Sequence, residues 1–119
     1  MTDDLTNKRE IARMLRAPGM LLDAEITRAF QRVGVSYAGH VPYSTDIKAA
    51  WILLDSLPFD CMPSVCRISL SPHELWAAAI WVYDERSDGN KVEFEAEAAT
   101  LPHAICLVWL EWFEWYTQR

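Results

Sequence analysis

Nine consecutive apolar or aromatic residues, Leu75 to Tyr83 (Leu-Trp-Ala-Ala-Ala-Ile-Trp-Val-Tyr), constrain the fold of this chain more than any other stretch. A strand with one face in water alternates polar and apolar positions, whereas a run without alternation reads as covered on both faces. Three alanines in a row also suit a short buried helix, but nine residues is strand length and Trp, Ile, Val and Tyr are strand formers. The polar run from Asp84 to Asn90 ends the stretch with a turn signal. Val92, Phe94 and Ala96 then alternate with Lys91, Glu93, Glu95 and Glu97. The pattern predicts a hairpin whose first arm is central and whose second is half exposed. Ahead of it, Cys66, Ile68 and Leu70 alternate with Val65, Arg67 and Ser69, which predicts a strand from Val65 to Leu70, and Ser71-Pro72-His73 turns the chain into the central run. Three strands joined by short connections favour an antiparallel meander in the order first, central, third.

Helical periodicity occupies the rest. Asp3 to Arg16 has helical composition, with Ile11, Met14 and Leu15 on one side and acidic and basic ends that suit the helix dipole. From Leu21 to Val33, Leu22, Ile26, Ala29, Phe30 and Val33 recur at helical spacing, and Gly34 is the stop signal. A third helix starts near Ser44, the expected N-cap, with Asp46 stabilising the first turn. Its expected buried stripe is Ile47, Ala50, Trp51, Leu54 and Leu57, with Trp51 anchoring it on the sheet. The last helix is capped by Thr100 and tolerates Pro102 in its first turn. Ile105, Val108, Trp109, Trp112 and Tyr116 form the stripe expected to face the sheet, yet Cys106, Leu110, Phe113 and Trp115 carry apolar character around most of the cylinder. Separate runs of helices and strands predict the α+β class: one domain spanning residues 1–119, in the order helix, helix, helix, strand, strand, strand, helix, with the meander sandwiched between helices.

Three segments resemble those of the phage ABA sandwich domain: Pro18 to Ile26, Pro42 to Trp51, and Ala99 to Cys106, the more specific being the stretch from Tyr43-Ser44-Thr45-Asp46 to Trp51 and Pro102-His103-Ala104-Ile105-Cys106. The resemblance covers roughly residues 18 to 112. It implies a small phage or prophage product with a sheet between helical layers, and it transfers no catalytic, cofactor or ligand residues. The Trp-rich tail from Trp109 to Trp115 departs from the family pattern.

Charge bears on partners. A net charge of −6 argues against phosphate-backbone and anionic-membrane binding, which need clustered Lys and Arg, and favours a basic protein partner. With no charged-then-apolar leader and no apolar run of membrane-spanning length, the expectation is a protein of the host bacterial cytoplasm. Three cysteines, Cys61, Cys66 and Cys106, without a CxxC pair suit a reducing compartment.

A search for chemistry finds little. His40, His73 and His103 fall in separate segments; His103 and Cys106 are i, i+3 on one helix, and two ligands do not make a structural zinc site. No phosphate-cradling glycine motif is present, so no metal, cofactor or enzymatic activity is expected. The expected working surfaces are the acidic residues Glu93, Glu95 and Glu97 and the surplus apolar face of the last helix, Leu110, Phe113 and Trp115, gripping a host protein or a second copy in a homodimer. With the resemblance, this predicts a non-catalytic counter-defence protein that disables a host defence protein such as a CRISPR effector. The alternatives are a sponge for a nucleotide immune signal, held at Tyr43, Ser44 and Thr45, and a phage structural accessory.

Overall fold

The computed structural model describes residues 16–34, 40–58, 60–70, 73–83 and 91–118. Its elements are α1 (Met20–Arg32), α2 (Ile47–Asp55), β1 (Cys61–Leu70), β2 (His73–Tyr83), β3 (Lys91–Ala98) and α3 (Leu101–Thr117). The expected helix from Asp3 to Arg16 lies outside the described residues except for Arg16.

The strands form the antiparallel meander that their patterning predicts, in the order β1-β2-β3. Cross-strand partners place side chains on the same face. One face carries Cys61, Val65, Trp76, Ala78, Ile80, Val82, Val92, Phe94, Ala96 and Ala98, which join the helices in a single core. Pro63 falls in β1, an edge strand, where a missing amide is tolerated.

Helix α3 packs across β2 and β3, and α1 and α2 pack on α3. The ring contacts orient it. Trp115 meets Phe94 of β3 at 5.5 Å, whereas Trp109 meets Phe30 of α1 at 5.0 Å and its Nε1 donates to Ser56 Oγ at the end of α2, at 3.3 Å. Six residues apart, Trp109 and Trp115 point about 120° apart around the axis. The expected division into a sheet face and a free face therefore does not hold: Trp109 of the stripe assigned to the sheet meets α1, while of the supposed surplus Trp115 meets the sheet and Phe113 stacks on Trp109 at 5.0 Å. A helix covered on several sides must be apolar around most of its circumference. Leu110 and Phe113 are 2% and 4% exposed, so the expected free apolar face of this helix does not exist. Of the expected buried stripe, only Tyr116 lies out in solvent, at 43% exposure.

Helix α2 is turned from its expected orientation. Its buried residues are Ala49, Ala50, Leu53 and Leu54, and Trp51 is 45% exposed rather than an anchor. Two stripes fit the spacing of this sequence, and the winning one buries Ala49 and Ala50 in a helix that packs on α3, whose own side chains are large. Small residues on one helix admit bulky ones on the other at close approach. The N-cap is Asp46, whose side chain accepts from Lys48 N at 2.9 Å, and not Ser44. Gly34 does end α1: at φ 83° its amide donates to Gln31 O, in a left-handed conformation that glycine adopts without a Cβ clash.

Among the described residues no helix covers the second face of the sheet. Met62, Trp81 and Tyr83 on it are 71%, 38% and 56% exposed. The uninterrupted apolar run of β2 arises differently from the expectation. Ala77 is small enough to be hidden by its flanking strands, at 5% exposure, while the larger residues beyond it stay in water.

Candidate functional site

The open sheet face is organised by register. Three cross-strand rows run from β1 to β3: Met62–Trp81–Glu93, Ser64–Ala79–Glu95 and Cys66–Ala77–Glu97. Each row passes from a neutral residue through an apolar one to a carboxylate. The face thus has an apolar centre and an acidic margin, because Leu75, Ala77, Ala79, Trp81 and Tyr83 of β2 lie on it and β3 brings Glu93, Glu95 and Glu97 to it, with Lys91 at the end of that row. The three glutamates are spaced about 7 Å apart along the edge strand. They are exposed, and among the described residues none forms an ion pair. At one end of the face a concavity of about 390 Å³ is lined by Asp60, Met62, Pro63, Ser64, Trp81, Val82 and Tyr83. Carboxylates aligned beside an exposed aromatic floor offer Coulomb attraction and apolar area to a cationic protein surface.

A second constellation, with no local motif in the sequence, is buried where the start of α1 meets the chain before α2. The carboxylate of Asp23, 1% exposed, accepts through Oδ1 from Ser44 N at 2.8 Å and from Ser44 Oγ at 2.7 Å, and through Oδ2 from His40 Nε2 at 2.9 Å. Ser44 Oγ also accepts from Gly19 N at 2.8 Å. Gly19, the N-cap of α1, has φ 140°, which a side chain would strain. Asp, His and Ser are the residue types of an acyl-transfer triad, but in such a triad the histidine lies between the other two so that it can take the serine proton. Here the aspartate lies between them, and Ser44 is completely buried. The arrangement clamps two segments together and offers no activated nucleophile. Its signal in the sequence is a lone Asp at a buried helical position, and its partners lie 17 and 21 residues away.

The same burial corrects the small-ligand expectation. Tyr43 and Ser44 are both 0% exposed, and only Thr45 of the three reaches solvent. His103 Nε2 donates to Arg16 O at 2.7 Å, and the neighbouring Cys106 is buried, its thiol pKa pushed far up by burial and then by the charge of Asp23. Among the described residues no three His, Cys, Asp or Glu side chains gather as a metal site would require. The surface of the expected partner-binding set therefore divides: Glu93, Glu95 and Glu97 are presented to solvent, Leu110 and Phe113 are core, and Trp115 is half-buried against β3.

No helix among the described residues is long and apolar enough to cross a membrane. Compared with protein-family models, curated proteins and solved structures, the chain matches none.

Proposed function

We propose that this is a non-catalytic binding protein whose working surface is the open face of the sheet, and that its partner is a protein with a cationic, partly apolar contact patch. The observation that carries this reading is the row of exposed carboxylates Glu93, Glu95 and Glu97, without an ion pair among the described residues, alongside Ala77, Ala79 and Trp81. Lys and Arg of the partner would lie over β3, and an apolar side chain would enter the concavity beside Met62 and Tyr83. Charged margins of this kind raise the association rate and reject acidic partners, while the apolar centre sets the lifetime of the complex. The proposed setting is counter-defence, with a host defence protein in the cytoplasm as the target: the sequence resembles the phage ABA sandwich domain, and the phosphate-binding groove of a nuclease is a cationic surface of the required kind. The nucleotide-sponge alternative is disfavoured by the burial of Tyr43 and Ser44.

The test is a phage infection assay in cells carrying a nucleic-acid-targeting defence system, comparing the wild-type protein with Glu93→Lys/Glu95→Lys/Glu97→Lys and, separately, Met62→Ser/Tyr83→Ser. Protection lost in both variants, with circular dichroism unchanged, is the expected result. Full protection by both would remove the open face from the mechanism.

A further inference from the structure

The outward strip of α2 is complementary to its own reverse, with a cation at one end, an anion at the other and two apolar residues between them. Lys48, Trp51, Ile52 and Asp55 lie along one side of the helix, and Lys48 and Asp55 are exposed, with no ion pair to either among the described residues. Trp51 and Ile52 between them are 45% and 39% exposed, and Ile47 beside them is 43% exposed. These side chains border a shallow depression of about 310 Å³. Seven residues separate the two charges, about 10.5 Å along the axis, and their midpoint falls between Trp51 and Ile52.

From this symmetry we infer that α2 is a self-association surface, on which a second copy of the chain docks about a twofold axis passing between Trp51 and Ile52. A twofold axis brings each residue of a patch against its mirror position on the partner. With two α2 helices antiparallel and centred on that midpoint, Lys48 meets the second copy's residue 55 and Asp55 meets its residue 48, so the charges pair twice. Trp51 meets Ile52 of the other copy, again twice. The helix dipoles are then antiparallel as well. No other occupant is matched so fully by this strip, because its charge pattern is complementary to itself. The nine residues of α2 span only about 13.5 Å, which puts the contact at the small end of interface sizes and makes the dimer a weak, concentration-dependent one. This surface is separate from the open sheet face, and the inference does not depend on what binds there.

The test is sedimentation velocity and light scattering on the full chain over a concentration series reaching the millimolar range. The wild type should rise toward twice its 13.7 kDa mass. Lys48→Asp and Asp55→Lys should each weaken association by about tenfold or more, since each turns two attractions into two repulsions. An equimolar mixture of these two variants should associate as the wild type does, because opposite charges face each other again in the mixed dimer. Trp51→Ser should leave a monomer. All four residues are on the surface, so the variants keep the fold, which circular dichroism verifies. A wild type that stays monomeric throughout would overturn the inference, as would association untouched by both charge variants, or a mixture that fails to recover.

Discussion

Replacing Asp23 tests whether the buried clamp holds the first helical segment to the second. Its carboxylate takes two hydrogen bonds from Ser44 and one from His40. Asp23→Ala removes both acceptor oxygens, and with them all three hydrogen bonds, and leaves the buried Ser44 amide without its partner. Hydrogen bonds to a charged group contribute about 1.5–3 kcal/mol each, and an orphaned buried donor costs about 1–3 kcal/mol. These terms are not additive, because His40 is half exposed and water can replace its partner. The expected loss is about 4 kcal/mol, within the range for breaking a buried polar pair. That is a large share of a typical stability of about 5–15 kcal/mol. Asp23→Asn keeps an oxygen for both Ser44 donors and should cost only about 1–2 kcal/mol. Urea unfolding followed by tryptophan fluorescence and far-ultraviolet circular dichroism measures both. With a slope of about 1.5 kcal/mol per M, the alanine variant should lose about 2.7 M in its midpoint. A loss below about 1 kcal/mol for alanine, or equal losses for the two variants, would refute the idea that a shared acceptor at this position joins the segments.

Trp109→Ala should cost about 3–5 kcal/mol, because Trp109 is 1% exposed among Phe30, Trp112 and Phe113, whereas Trp51→Ala at dilute concentration should stay within about 0.5 kcal/mol; denaturant melts compare them. The Cys106 thiol is held protonated by burial and by Asp23, so its folded pKa lies above the unfolded one. Its contribution is complete below the ordinary thiol value of 9.0 and declines at higher pH, by about 1.4 kcal/mol per pH unit. Cys106→Ala should flatten the fall of stability above that pH, read as the difference between the two melting profiles. In native protein a thiol reagent should modify Cys66, which is exposed on the open face, well before Cys61 or Cys106. Glu93→Lys/Glu95→Lys/Glu97→Lys should change stability by less than about 1 kcal/mol, since no described partner is lost, and a larger loss in denaturant melts would mark these residues as structural.

The meander was legible because period-two alternation and turn signals are local. Even so, β1 begins at Cys61, four residues before the expected start at Val65, because Pro63 in the edge strand masks the pattern. The helices were legible as elements and much less so as faces. In α2, Ile47, Ala50, Trp51 and Leu54 look like the stronger stripe by hydrophobicity. The observed one is set by fit, since the two alanines allow close packing on a helix crowded with rings. The surplus apolar character of α3 points, from the sequence alone, to a partner-binding face, and that expectation fails because Leu110 and Phe113 are core. What covers α3 is two other helices, and nothing local in residues 101–117 says so. The acidic residues of β3 were placed correctly on the surface, whereas the apolar half of the open face was hidden by the expectation that β2 is covered on both sides. The Asp23 clamp depends on contacts between distant segments, which no spacing rule within a window reveals.

Enclosure of α3 also orders events at the ribosome. Every other described element precedes it in the chain, and both the inner face of the sheet and the inner sides of α1 and α2 are completed by its side chains. Until those residues leave the exit tunnel, the meander and the helical pair each expose the surface they will later share, and neither has a finished core to fold around. Folding therefore waits for the last helix and follows synthesis of nearly all of the described chain, leaving an interval in which the nascent protein is open to chaperones and proteases.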